Sequence, residues 1–393
     1  MNNRKIFLHH IAQTSEAPLG LEIVKAEGSK LYAADGKEYL DLIGGISVCN
    51  VGHRNKKVIG AINKQINDYL HVMVNGELIL SPQTIYAKML TDHLPTSLNS
   101  VFFTTSGTEA TEGAMKLAKR FTKRPNIAAF NKSYHGSTQG ALSIMGDEYW
   151  RNAFRPLLPG ILHLDFNSFE SLDFINENTA SVIAETIQAE AGVIVPGKEW
   201  MKALRKKCDD TGALLVLDEI QCGFGRNGTL WAFEQFEIVP DILLLAKALG
   251  GGMPLGAFIA DKKIMNHLSY DPALGHINTF GGHPVSCAAG SAALDFLLKE
   301  KIVDAVFKKE KLFLNNLNSS KIKNIRSRGL MIALEFENAA INQQIIHSLI
   351  SHGIFTDWFL FAPECLRIAP PLTISEEEIL DACVIINEVL TGV

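Results

Sequence analysis

Two residues carry the chemical argument. Asp218 closes the apolar run Ala213–Leu217, and Lys247 stands two positions beyond the run Ile242–Leu245. Uninterrupted apolar runs of this length, bounded by polar residues and followed by glycine, fit strands of a parallel sheet buried on both faces, although periodicity alone also suits buried helix. In such sheets ligands sit beyond the carboxyl ends of the strands, so Asp218 and Lys247 are expected to face one crevice. A buried carboxylate and a buried amine are each strongly unfavourable without a charged partner. Their joint presence asks for a ligand with complementary groups. Taken singly, each has a plain explanation: a solvated strand end for the lysine, a helix N-cap for the aspartate.

Pyridoxal 5'-phosphate meets both demands. Its aldehyde condenses with a lysine amine, and its pyridinium nitrogen wants an acidic partner. A phosphate also needs a cradle, and Ser106, Gly107 and Thr108 offer one. They follow the strand-like Val101–Phe103 and open a segment in which Ala110, Ala114, Leu117, Ala118 and Phe121 recur at helical spacing. Free N–H groups and the helix dipole make such a start an anion site, and glycine lets a phosphate approach the backbone. An ordinary Ser/Thr cap is the alternative on these residues alone.

The stretches "LDEIQCGFGRNG" and "AKALGGGMPLGA" resemble the class III, or ω-, aminotransferases of fold-type I, in the acetylornithine/ornithine aminotransferase group. The likeness covers nearly the whole chain. It implies an α/β fold with a mostly parallel central sheet flanked by helices, and a smaller α/β domain built from both termini. It makes Lys247 the cofactor lysine and proton-transfer base, Asp218 the partner of the pyridinium nitrogen, and Gln221, one helical step further on, a donor to the ring's phenolic oxygen. "FNKSYHGSTQG" is similar to the family segment whose aromatic residue, here Tyr134 beside His135, stacks on the ring. "ETIQAEAGVIVP" resembles the family's "EPIQGEGGxxxP", which puts Glu185 near the cofactor and makes Glu190 a gate that pairs with a mobile arginine while an ω-amine is bound. In "CLRIAPPLTI" that arginine is Arg367. Spacing alone leaves the two glutamates equally suited to a solvated helix face.

Thr279, in the glycine-rich "NTFGG", is where the family supplies a hydroxyl to the phosphate of a neighbouring subunit, which implies a homodimer with shared active sites. Two positions depart from the pattern. Ile46 stands where ornithine aminotransferases carry tyrosine, and Ser137 replaces the arginine that grips a substrate carboxylate, leaving Arg151 and Arg155 as candidates for that task. The resemblance implies transfer of an amino group from an acetylornithine-like ω-amine to a 2-oxo acid such as 2-oxoglutarate, in two half-reactions. Succinylornithine, 4-aminobutyrate or a diamine remain open as donors. An aminomutase of the glutamate-1-semialdehyde type or a decarboxylase would use the same machinery, and a non-catalytic member of the fold is a further alternative that the presence of Lys247 disfavours.

Composition narrows the rest. At 393 residues the chain exceeds the size at which one core keeps growing. The expected division is an N-terminal arm and part of the small domain at 1–48, a large cofactor-binding domain at 49–284, and the rest of the small domain at 285–393. Within the first part, "LEIVKAEGSKLYAADGKEYLDL" reads as a hairpin with turns at Gly28 and Asp35-Gly36, and Lys57–Leu70 as a helix with Val58, Ile62 and Ile66 on one stripe. A net charge of -5 leaves no footprint for nucleic acid. Six scattered cysteines and twelve histidines without ligand spacing suggest neither disulfides nor a metal site. With no apolar stretch of membrane-spanning length and no signal-like start, a cytoplasmic protein is expected.

Overall fold

The computed structural model describes residues 2–392. Its centre is a seven-stranded sheet in the order Ser100–Thr104, Gly256–Ala260, Ile242–Leu245, Leu214–Asp218, Thr179–Glu185, Asn126–Phe130, Ile161–Leu164. The last five strands run parallel; Gly256–Ala260 is antiparallel to both of its neighbours. The runs that end in Asp218 and lead to Lys247 are therefore adjacent parallel strands, paired Val216 to Ile242 and Asp218 to Leu244.

Why these strands are apolar throughout follows from the pleat, which sends alternate side chains to opposite faces. Leu214, Val216, Ile242 and Leu244 pack with Ala110, Ala114 and Leu117 of the helix Gly107–Thr122. Leu215, Leu217, Leu243 and Leu245 pack on the other face with Trp200, Met201 and Leu204 of the helix Lys198–Thr211. Neither face meets water, so no polar alternation survives. By the same parity Asp218 belongs to the face of Val216, the face covered by the helix that begins at Gly107.

Outside this layer, the hairpin strands Ile23–Glu27, Lys30–Ala33 and Glu38–Asp41 form a sheet with Ile354–Phe355, so residues from both ends of the chain share one structure. A third sheet orders Asn324–Ser327, Ile332–Glu335, Ala362–Ile368 and Trp358–Phe359. Arg367 lies on its strand Ala362–Ile368, opposite Ala333. The long helix of small residues, Pro284–Lys299, packs against the helices Lys56–Asp68 and Ser81–Asp92. In the helix Lys56–Asp68, Val58 is buried, but Ile66, expected on the same stripe, is exposed.

Candidate active site

The carboxyl ends of the central strands open into a cavity of about 730 Å³. Its wall includes Ser106, Gly107, Thr108, Tyr134, His135, Glu185, Asp218, Gln221 and Lys247. Five segments remote in sequence thus converge at one place, each at or just beyond the end of a strand of the central sheet.

Lys247 opens a short 3-10 turn, Lys247–Gly250, directly after its strand, with a left-handed φ of 50°. That conformation is uncommon for a long side chain. Its Nζ donates to Gln221 Oε1 at 2.8 Å. Burial holds the ammonium below its usual range, with the Glu190 carboxylate pulling the other way. Burial disfavours the charged form, so this lysine gives up its proton more readily than a solvated one. Gln221 reaches it not from a helix, as the spacing suggested, but from a series of turns that follows Asp218. Its Nε2 is buried without a partner.

Asp218 uses both oxygens. Oδ1 accepts from the Ile220 N–H at 2.9 Å, and Oδ2 lies 2.7 Å from His135 Nδ1. An ionised aspartate makes Nδ1 the donor and leaves Nε2 as an acceptor; that Nε2 is buried with no partner. Glu185 accepts from the Tyr134 N–H at 2.9 Å and the Ala189 N–H at 3.0 Å. Burial pushes its carboxyl up to about 7, against the pull of His135.

At the start of the helix Gly107–Thr122 the Ser106 hydroxyl caps the Glu109 N–H, and Thr108 Oγ1 meets Thr138 Oγ1 at 2.6 Å. Two glycines keep this corner open. A Cβ on Gly107 would lie 2.8 Å from Ile220 Cδ1, and one on Gly136, whose φ is +125°, would lie 2.3 Å from Thr108 Oγ1. No larger residue fits either place without moving the wall.

Glu190 and Arg367 meet head-on: Nη1 to Oε1 and Nη2 to Oε2, both 2.9 Å. Both residues are buried, and the pair is the planar two-bond arrangement that arginine favours. Burial opposes ionisation at each, yet the pairing prevails; the glutamate is held below its usual range and the arginine above.

Other expected residues lie elsewhere. Ile46 sits at φ 60° in a single left-handed turn, Gly44–Ser47, and does not line the cavity, which takes Val48 from that segment. Thr279 is exposed and lines a separate depression with Met73 and Ile277. Neither Arg151 nor Arg155 reaches the cavity, which corrects the expectation for Ser137. Arg151 is engaged by Glu148, the Met145 carbonyl and His163, and Arg155 by Glu148. Local partners capture both. Ser137 itself hydrogen-bonds the Tyr134 hydroxyl at 3.1 Å. Sequence reasoning missed Val48, Met253 and Leu255 in the wall. It also missed Asp357, whose Oδ1 lies 2.9 Å from Arg367 Nε. No periodic or motif signal in the sequence marks it.

Adjacent parallel strands, one ending in a carboxylate and the other leading to a lysine, beside a helix start open to an anion, define a fold-type I pyridoxal-phosphate-dependent transferase. The chain belongs to the aminotransferase class-III family, whose profile matches residues 11–390. Acetylornithine aminotransferase from Methanopyrus kandleri is 36% identical over 374 residues, 94% of each chain. The mitochondrial acetylornithine aminotransferase of Alnus glutinosa is 35% identical, covering 93% of this chain and 82% of its own. Among solved structures, the ornithine aminotransferase of Toxoplasma gondii, described with partial occupancy of pyridoxal phosphate at its active site, superposes with a TM-score of 0.92 at 29% identity. The match covers 99% of this chain and 93% of that one. The adenosylmethionine-8-amino-7-oxononanoate aminotransferase of Methanocaldococcus jannaschii gives 0.91 at 27%, covering 99% and 98%. The protein is a pyridoxal-phosphate-dependent aminotransferase.

Proposed function

We propose that this chain moves an amino group from an N-acetylornithine-like ω-amine to a 2-oxo acid such as 2-oxoglutarate, with Lys247 as the cofactor lysine and Asp218 as the pyridinium partner. The observation that carries the reading is the pair of unpartnered buried atoms in the cavity wall. Gln221 Nε2 is a donor without an acceptor, and His135 Nε2 is left without a bond. Buried polar groups are rarely left so, and a polar aromatic ligand would satisfy them. The glycine-lined corner at Ser106–Thr108 suits its phosphate, and Tyr134 suits its ring face.

When bound, the cofactor supplies an electron sink for the carbanion left as the donor's C–H loses its proton. The protein does the rest. Lys247, whose burial favours the unprotonated amine, would take that proton and return it one position along. The Asp218 carboxylate, oriented by His135 and the Ile220 N–H, holds a proton on the ring nitrogen. Gln221 Nε2, which has no partner in the protein, would donate to the cofactor's phenolic oxygen. Glu190 covers the Arg367 fork while an ω-amine is in place and yields it to the α-carboxylate of the 2-oxo acid in the second half-reaction. Ser137 offers a donor's far end a hydroxyl rather than a charge.

A second copy of the chain completes the site in this reading. Leu70, Met73, Ile277 and Phe280 are exposed, and the two loops that carry them touch through Asn75 and the Asn278 carbonyl and through His71 and Phe280. An apolar face of this kind suits a partner subunit, and Thr279 beside it would reach the neighbour's phosphate. Six free thiols suit a reducing cytoplasm. No described helix is long and apolar enough to cross a membrane.

A donor screen tests the proposal. The cofactor band of the loaded protein is followed on addition of N-acetylornithine, ornithine, 4-aminobutyrate or 1,5-diaminopentane, then of 2-oxoglutarate. Bleaching by N-acetylornithine and recovery with 2-oxoglutarate is expected. Isomerisation of a donor without any amino transfer to added 2-oxo acid would refute it in favour of a mutase.

A further inference from the structure

Arg367 faces two carboxylates, not one. Glu190 takes the Nη1/Nη2 end of the guanidinium, while Asp357 Oδ1 stands 2.9 Å from Nε, an ion-pair contact whose N–H is not aimed at the oxygen. The segment around Asp357 grips the arginine at further points. The Asp357 carbonyl accepts from the Arg367 N–H at 2.9 Å, the Trp358 carbonyl from Nη2 at 2.8 Å, and the Phe359 ring lies under the guanidinium with its centroid 4.5 Å away. The same hairpin holds the glutamate, through the Leu360 N–H to Glu190 Oε2 at 3.0 Å.

The division of edges matters. Asp357 leaves the two-nitrogen fork free for whichever carboxylate occupies it, so it competes with neither Glu190 nor a substrate. Without a second carboxylate, withdrawal of Glu190 would strand a guanidinium whose side chain is only 3% exposed, and an uncompensated buried charge is strongly unfavourable. With one guanidinium and two carboxylates, charge balance survives that withdrawal.

We propose that Asp357 is the standing counter-ion of Arg367: a positioning residue that keeps the guanidinium charge-paired while Glu190 exchanges with a substrate carboxylate. This rests on the reading of Glu190 as a gate. The two carboxylates that occupy the fork in turn feel the Asp357 charge alike, so its removal strengthens both pairings together. Where Glu190 is absent, only the ligand gains.

The test is a set of four proteins, wild type, Glu190→Ala, Asp357→Asn and the double variant, all loaded with cofactor and titrated at pH 8 with glutarate, a dicarboxylate that cannot react. Glu190→Ala should tighten glutarate binding by removing its competitor. Asp357→Asn should tighten it about tenfold more in the Glu190→Ala background, since a charge within a few ångströms in a partly buried site is worth at least one decade. In the wild-type background it should shift the dissociation constant by less than about threefold. Weaker binding in both backgrounds would make Asp357 a mere strut and overturn the proposal, as would no change in either. Asp357→Ser, which also drops the charge, should follow Asp357→Asn and guards against a folding defect in one variant. If Glu190→Ala leaves glutarate binding unchanged, it is the gate that fails, and that result is separable from the others.

Discussion

Replacing Asp218 by Asn alters one atom and one charge at a carboxylate with both oxygens engaged. The Ile220 N–H at 2.9 Å obliges the retained oxygen to stay where Oδ1 was, which turns the new NH2 toward His135 Nδ1, 2.7 Å from the former Oδ2. Two donors then face each other unless the imidazole moves its proton to Nε2, so the variant also reverses the tautomer of a fully buried histidine. Shape is nearly kept; what is lost is the negative charge proposed to hold a proton on the cofactor's ring nitrogen. A charge-assisted hydrogen bond is worth about 1.5–3 kcal/mol, and at 1.4 kcal/mol per decade the donor half-reaction should slow about 10- to 150-fold. Stopped-flow single turnover, following the cofactor band at matched cofactor content, reads this directly. Asp218→Asn at the wild-type single-turnover rate, fully loaded, would remove Asp218 from the mechanism.

Borohydride reduction of the loaded protein followed by peptide mapping should find the cofactor on Lys247, and Lys247→Ala should retain none covalently; a label on another lysine would overturn the assignment. Thr279→Val should weaken cofactor retention about tenfold or more, the worth of one charge-assisted hydrogen bond. Because a ligand that binds only the dimer must stabilise it, sedimentation should show cofactor-free protein dissociating first, and equal dissociation constants would contradict the shared site. Glu219 is buried, accepts from the N–H groups of Ala232 and Phe233 and from the Thr186 hydroxyl, and burial raises its carboxyl to about 7 from 4.5. Between those values the unfolded chain has released a proton that the native state keeps, so this group makes stability fall as pH rises, by about 1.4 kcal/mol per unit. Glu219→Gln, which cannot titrate, should gain on wild type by that slope from pH 4.5 to 7 in urea unfolding of the cofactor-free protein, above a fixed offset at lower pH; parallel curves would show that Glu219 ionises normally.

What was legible in the sequence was what is local. Asp218 and Lys247 declare themselves because a strand buried on both faces is written as a continuous run, and the run's end marks where polar groups return. The helix start at Ser106–Gly107 is legible for the same reason, one strand end followed by one cap. Legibility fails where position depends on how remote segments cross. The chain after Asp218 reads as a possible helix, yet Glu219 is drawn into a cap for the turn Ala232–Phe236, and the backbone proceeds by turns to Gly228 instead. Arg151 and Arg155 lie near the Tyr134 segment in sequence and have the right chemistry for a substrate carboxylate. Glu148, only a few residues away, binds both. Asp357 shows no periodic or motif signal, because its role is created by a two-residue strand folding it back onto Arg367.

The resemblance gave the arginine of the gate as the mobile partner, and the geometry argues for the reverse. Arg367 lies mid-sheet: its backbone N–H is bonded to Asp357, its strand is paired with Ile332–Glu335, and its side chain is held by Asp357, the Trp358 carbonyl and the Phe359 ring. Moving the guanidinium would break contacts on three sides. Glu190 sits in a loop between the isolated bridge partners Gln188 and Ile194, and apart from Arg367 its side chain is held by one backbone N–H, that of Leu360. Rotation of that side chain costs one neutral donor and leaves the arginine paired. If Glu190 gates the fork as proposed, the lower-cost motion is the glutamate's, and an incoming α-carboxylate would find the fork already in place, which is the condition under which binding energy goes into selection rather than into ordering the site.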